Sequence, residues 1–127
     1  MEDFPSIDRI DEILGDLAEA IPDKYFKGLN GGIVLLEEAK LHPEDLAGDL
    51  YVMGDYQRLN GTCTIRIYYG SFKRLYTHLS EDELRNKLDG VLKHELTHHL
   101  EYRAGLRDLE IEDANDIHMY KKMKEED

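Results

Sequence analysis

The run from Ser80 to Gly105 constrains the fold of this chain more than any other stretch. Ser80 followed three residues later by Glu83 is a capping box, the signature of a helix start. Behind it Leu84, Leu88, Val91, Leu92, Leu96 and Leu100 recur at helical spacing, which predicts a long helix with one leucine-rich side turned to a core. Gly105 is suited to ending it. In the middle lies His94-Glu95-Leu96-Thr97-His98. Histidines four apart share one helical face, so both imidazoles reach a single metal ion. Glu95, beside the first of them, is set to take a proton from water activated by that metal. The histidines fall on the flank of the leucine stripe rather than within it.

The remaining segments supply what this helix packs against. Ser6 caps a first helix running to Ile21, with Ile7, Ile10, Ile13, Leu14 and Leu17 at helical spacing. Pro22 and Asp23 break it and begin a short turn through Tyr25 and Phe26. The apolar run Ile33–Leu36 reads as an interior strand covered on both faces. Residues 37–48 are polar, contain Pro43, and read as a loop. Asn60-Gly61 between the β-prone runs 50–59 and 62–69 signals a hairpin closed by a type I′ turn. In its second arm Cys63, Ile65, Ile67 and Tyr69 alternate with Thr64, Arg66 and Tyr68, giving one inward and one wet face. Gly70-Ser71 closes that strand, and residues 72–79 form a short helix. After Gly105, Asp108 caps a last helix with Leu109, Ile117, Tyr120 and Met123. The expected class is α+β, a small mixed sheet with a β-hairpin packed on helices that include the motif helix.

Composition narrows the function. At 127 residues the chain is one domain, residues 1–127. With 41% hydrophobic and 35% charged residues it suits a water-soluble globular protein rather than a disordered one. A formal charge of −12 argues against nucleic acid and against anionic membrane surfaces, both of which need a basic footprint. No apolar run approaches the roughly 20 residues that span a bilayer, and the acidic N-terminus lacks the features of a secretory signal. A cytoplasmic location is therefore expected. The single cysteine, Cys63, leaves no internal disulfide and no cysteine-based metal cluster.

A catalytic zinc site uses three protein ligands and one open position, so His94 and His98 need a partner. If the chain folds back about Gly105, positions equidistant from it meet. His98 then faces Glu112, and His94 faces Asp116. Both acids interrupt an otherwise apolar helical face of Leu109, Tyr120 and Met123, where a lone carboxylate is costly to bury. Glu112 is taken as third ligand and Asp116 as an outer acceptor orienting His94. Asp108, Glu101 and Asp113 stay open as rivals: Glu101 on the motif's own helix, Asp108 near the turn, Asp113 in the first turn of the last helix. His99 and His118 read as structural or exposed residues, and Tyr102 and Tyr120 as aromatic packing near the site.

The hairpin segment Thr64-Ile65-Arg66-Ile67-Tyr68-Tyr69-Gly70, with Leu88-Asp89-Gly90-Val91-Leu92-Lys93 leading into His94-Glu95-Leu96-Thr97-His98-His99, resembles the zincin-like metallopeptidase family of minimal bacterial zincins. The likeness covers roughly residues 4–100. It implies a compact zincin core, a zinc ion and peptidase activity on peptide or protein substrates. Many members carry glycine three residues after the second histidine and aspartate three after that; here those positions are Glu101 and Ala104. The same pair shifted by about one turn is Gly105 and Asp108.

Two functions follow as expectations. The first is metal-assisted peptide hydrolysis with Glu95 as general base, the substrate extended along the arm 62–69. The second is a non-catalytic metal-binding interaction domain with a structural or vestigial zinc, which a closed site of four protein ligands, for instance with both Glu101 and Glu112, would support.

Overall fold

The computed structural model describes residues 4–45, 47–48 and 50–105, and every structural statement below refers to these. The first helix, α1 (Ile7–Glu19), begins where Ser6 accepts a hydrogen bond from the Arg9 N–H at 3.2 Å. A 3-10 turn, Asp23–Phe26, follows Pro22. Five strands come next: β1 (Gly32–Leu36), β2 (Lys40–Leu41), β3 (Tyr51–Val52), β4 (Gly54–Leu59) and β5 (Thr62–Tyr68). The helices α2 (Tyr69–Leu75) and α3 (Glu81–Ala104) complete the described chain. The class is α+β, three helices with a mixed sheet.

The main sheet has the order β1-β5-β4, with β1 parallel and β4 antiparallel to β5. The hairpin stands as expected. Leu59 pairs with Thr62 across Asn60 and Gly61, whose φ angles of 53° and 81° are both left-handed, as a type I′ turn requires. Two expectations about the sheet are overturned. Ile33–Leu36 lies in an edge strand rather than an interior one: among the described residues β1 pairs only with β5, and Val34 stays 37% exposed. The arm 62–69 is the centre of the sheet rather than an edge, because β1 and β4 occupy both its sides. It therefore has no free edge to take an added strand. Residues 37–48 also hold more than a loop, since Lys40 and Leu41 pair antiparallel with Val52 and Tyr51 in a second, two-stranded sheet.

The strand-to-helix boundary also moves. Tyr69, Gly70 and Ser71 belong to α2, which starts directly after β5 instead of after a break at Gly70-Ser71. Ser71 is fully buried, and its side chain accepts the Lys40 N–H at 3.0 Å, tying α2 to β2. The core lies between the sheet and the helices. Ile10, Ile13, Ile65, Ile67, Phe72, Leu84, Leu88, Leu92 and Leu96 are all fully buried there. Each such side chain contributes about 1.5–3 kcal/mol relative to an exposed one.

The far face of the hairpin is not simply wet. Asp55 accepts hydrogen bonds from Arg66 at 2.7 and 2.8 Å, from Lys40 at 2.9 Å and from the Tyr68 hydroxyl at 2.9 Å. Partial burial works to raise the Asp55 carboxyl, but the bonds from Arg66, Lys40 and Tyr68 outweigh it and hold the group below the usual carboxylate range. One carboxylate thereby clamps β2 to β4 and β5.

Candidate metal centre

Helix α3 carries the motif, and its capping box is complete. Ser80 accepts the Glu83 N–H at 3.2 Å, and Glu83 accepts the Ser80 N–H at 2.9 Å. The helix ends at Ala104, with the Gly105 N–H bonded back to the Glu101 and Tyr102 carbonyls. Leu84, Leu88, Leu92, Leu96 and Leu100 lie buried along it at steps of four. Two neighbouring steps-of-four rows matter for the site, as ridges on a helix surface do. Val91, Glu95, His99 and Arg103 form the row that meets the sheet and the 3-10 turn. Gly90, His94, His98 and Tyr102 form the row that opens to solvent.

His94 and His98 are exposed, with Nε2 atoms 3.2 Å apart and rings inclined at 86°. Two imidazole nitrogens at about 2.0–2.1 Å from a tetrahedral zinc are separated by about 3.3 Å. The pair therefore already has the bite that a zinc ion requires. Glu95 is 6% exposed, and its carboxylate and both imidazoles offer ligand atoms within 4.8 Å of one another. Glu101 lies 3.7 Å from Nδ1 of His98, on the ring edge away from Nε2.

Strand β4 runs beside this helix, and every second residue touches it. A Cβ placed on Gly54 would come within 2.8 Å of Val91 Cγ1, so glycine lets the strand approach α3 closely. The Tyr56 hydroxyl is 2.6 Å from Nδ1 of His99, whose Nε2 is 2.8 Å from the Lys27 carbonyl. A carbonyl only accepts, so Nε2 carries a proton; with burial disfavouring a second proton on Nδ1, that atom accepts from the Tyr56 hydroxyl. Burial lowers the affinity of His99 for a second proton, against the opposing pull of the Lys27 carbonyl. Further along, the Arg58 guanidinium stacks 4.4 Å over the Tyr102 ring.

Two pockets lie between α3 and β4, one on each side of the His94–His98 pair. On the Glu95 side a pocket of about 610 Å³ is lined by Tyr51, Met53, Tyr76, Gly90 and Val91 together with His94 and Glu95. On the other side a pocket of about 470 Å³ is lined by Tyr56, Arg58, His98, Glu101 and Tyr102. Both lie in the size range of small-ligand sites, about 300–1,000 Å³.

The structure thus brings His94, Glu95 and His98 together as the sequence predicts. Glu112, Asp116 and the rivals Asp108 and Asp113 lie outside the described residues, as do His118 and Tyr120. His99 is structural, and Tyr102 packs on Arg58. Sequence reasoning missed Gly54, Tyr56 and Arg58, whose signal is their alternation in the first hairpin arm, on one face of a strand adjoining α3. It also gave no role to Gly90, which lies within α3 one turn before His94.

No protein-family model matches the chain, and no curated protein does. Among solved structures the chain is similar to a conserved hypothetical protein from Thermo thermophilus, with 27% sequence identity and a TM-score of 0.68. That likeness covers 79% of this chain and 98% of the other. The described α+β architecture is therefore shared with a protein whose name states no activity. No helix among the described residues is long and apolar enough to cross a membrane.

Proposed function

We propose that this chain is a zinc-dependent metallopeptidase of zincin-like fold. His94 and His98 hold the ion through Nε2, and Glu112 completes the protein ligands. The observation that carries the reading is the 3.2 Å separation of the two Nε2 atoms beside the buried Glu95, with a pocket on either side. Two imidazoles and a carboxylate form a donor set suited to zinc. A bound zinc ion supplies Lewis-acid polarisation of the scissile carbonyl and acidifies water. Glu95 accepts the proton of the attacking water and returns it to the departing amine. Its burial among α3 and the sheet limits the directions its carboxylate can take, which keeps it next to the reacting atoms.

The substrate is an extended peptide. Strand β5 has no open edge to receive it, so the role expected of that arm passes to β4, which among the described residues pairs with β5 alone. A peptide laid along the other edge of β4 gains backbone hydrogen bonds and passes the metal pair. Glu101 as a fourth ligand would support the alternative of a closed, non-catalytic zinc site; its place 3.7 Å from Nδ1 of His98 supports the open site instead.

Zinc dependence tests the reading. The full chain loaded with one equivalent of zinc is incubated with unstructured peptides and the products are weighed by mass spectrometry. Cleavage is expected with zinc, none after chelation, and recovery when zinc is restored. A zinc-loaded chain that cuts none of the peptides would contradict the assignment.

A further inference from the structure

We propose that the pocket on the His98 side of the metal pair is a carboxylate-binding site anchored by Arg58. It takes a carboxylate of the substrate, from an acidic side chain or from the chain terminus. This rests on the peptidase reading for the identity of the ligand and deepens it. The pocket holds about 470 Å³ and is lined by Tyr56, Arg58, His98, Glu101 and Tyr102. Arg58 stands two residues beyond Tyr56 on β4 and brings a permanent positive charge to the wall beside the second histidine.

The guanidinium is held in place without being used up. Other arginines of the chain face its own acids: Arg9 is paired with Glu81, Arg66 with Asp55 and Arg85 with Asp16. Arg58 makes no ion pair among the described residues, although acidic residues outnumber basic ones by 28 to 16. It rests instead on the Tyr102 ring, with Cζ 4.4 Å from the centroid. Stacking of this kind fixes the guanidinium plane and leaves its N–H groups free, so the fork that matches a carboxylate stays available. The Tyr56 hydroxyl in the same wall is engaged by His99 at 2.6 Å. Glu101, the other charged group of the pocket, lies 3.7 Å from Nδ1 of His98. Arg58 is thus the charge in the wall that has no partner of opposite sign.

Range decides between this local cation and the net charge of −12 on the chain. At physiological ionic strength, exposed charges more than about 8 Å apart are largely screened. A carboxylate inside the pocket therefore responds to Arg58, in contact, ahead of acids spread over the rest of the surface. The fork is selective as well as attractive. A carboxylate presents it with two acceptor oxygens, an amide presents one, and an ammonium presents none.

The test uses the zinc-loaded full chain at physiological salt and begins with binding. One probe is N-acetyl-L-glutamic acid α-amide, whose carboxylate is on the side chain. Another is N-acetyl-L-glutamine, whose carboxylate is terminal. N-acetyl-L-glutaminamide and N-acetyl-L-lysinamide are the neutral and cationic controls. In NMR titrations at least one carboxylate is expected to shift the Arg58 Nε–H resonance and to bind ~10-fold or more tightly than the neutral amide. Arg58 is exposed, so its replacement leaves the core intact. Arg58→Gln is expected to abolish the preference, and Arg58→Lys, which keeps the charge and loses the fork, to reduce it by roughly threefold. The probe that binds more tightly assigns the source of the carboxylate. Peptides then differ in that group alone, glutamate against glutamine at one position or a free against an amidated terminus. The favoured acid is expected to be cut ~10-fold or more faster by the wild type, and no faster by Arg58→Gln. Equal binding of acid and amide, or a preference for lysinamide, overturns the site. So does a carboxylate that binds Arg58→Gln as tightly as the wild type, as one seated on the zinc alone would. Binding through Arg58 with no peptide cut supports the site and overturns the peptidase reading. Cleavage indifferent to both carboxylates does the reverse.

Discussion

Replacing Glu95 by glutamine is expected to leave zinc binding intact and to lower peptide turnover by about 10²–10⁴-fold, the range supplied by a positioned general base. Glutamine keeps the size of the side chain and its hydrogen-bonding reach, but it cannot accept a proton from water. His94 and His98 are untouched, so one zinc per chain should still bind. The result separates two roles that a buried carboxylate beside a metal can play. A glutamate that served only to fill space near α3 would give a variant with unaltered turnover. A glutamate that ligated the metal would give a variant with weakened zinc affinity. Steady-state kinetics and a competition titration for zinc, run on the same preparation, read both quantities. A general base requires a fall in kcat with zinc affinity unchanged.

The largest expected effect on stability comes from His99, next in sequence to a proposed ligand and chemically remote from it. It is fully buried, and it joins three elements: α3, the Tyr56 hydroxyl on β4, and the Lys27 carbonyl after the 3-10 turn. His99→Ala empties its volume and leaves both partners without their bond. A cost of about 3–5 kcal/mol is expected, combining the cavity with the loss of the bonds to the hydroxyl and the carbonyl. The pH dependence has a defined sign. Burial holds the folded-state pKa of His99 below its usual value of 6.5. As pH falls through that value the unfolded chain takes up a proton that the folded chain refuses, so stability falls with it. Urea unfolding of the wild type should therefore show a loss between about pH 7.5 and 5.5, in the range where an unperturbed histidine titrates. The His99→Ala variant should lack the His99 share of that loss, and the gap between the two proteins should narrow toward acid. A gap that widened would mean that His99 is charged in the folded protein.

His98 and His99 illustrate how much of the site was legible beforehand. Adjacent on one helix, they differ by about 100° in direction, and only the row each belongs to separates an exposed side chain from a core residue. The step of four from His94 to His98 was enough to place those two on one face. The partner of His99 is Tyr56, 43 residues away, and no local pattern announces it. The same distinction holds for the fold. Ser80 with Glu83, Ser6 before its helix, and Asn60-Gly61 act through atoms a few residues apart, so those boundaries could be read directly. Whether β1 or β5 occupies the middle of the sheet is decided by pairing between Gly32–Leu36 and Thr62–Tyr68, and apolar content alone favoured the wrong strand. The two-residue strands at Lys40 and Tyr51 are too short to show an alternation. The two pockets became visible only once Gly54, Tyr56 and Arg58 were set against α3.

The same geometry separates what Glu101 and Glu112 are asked to do. Glu101 lies 3.7 Å from Nδ1 of His98, on the ring edge away from Nε2. Glu112, outside the described residues, is proposed as the third ligand because a catalytic site with two imidazoles requires one more protein donor and an open position.

Anomalous diffraction at the zinc edge, from crystals of the full chain loaded with one equivalent of zinc, tests the central claim most directly. The account predicts a single metal peak within about 2.0–2.1 Å of Nε2 of both His94 and His98. It predicts a carboxylate oxygen of Glu112 as third protein ligand, and a further position that no protein atom fills. Four protein ligands closing the site, or a metal bound away from the two imidazoles, would contradict it.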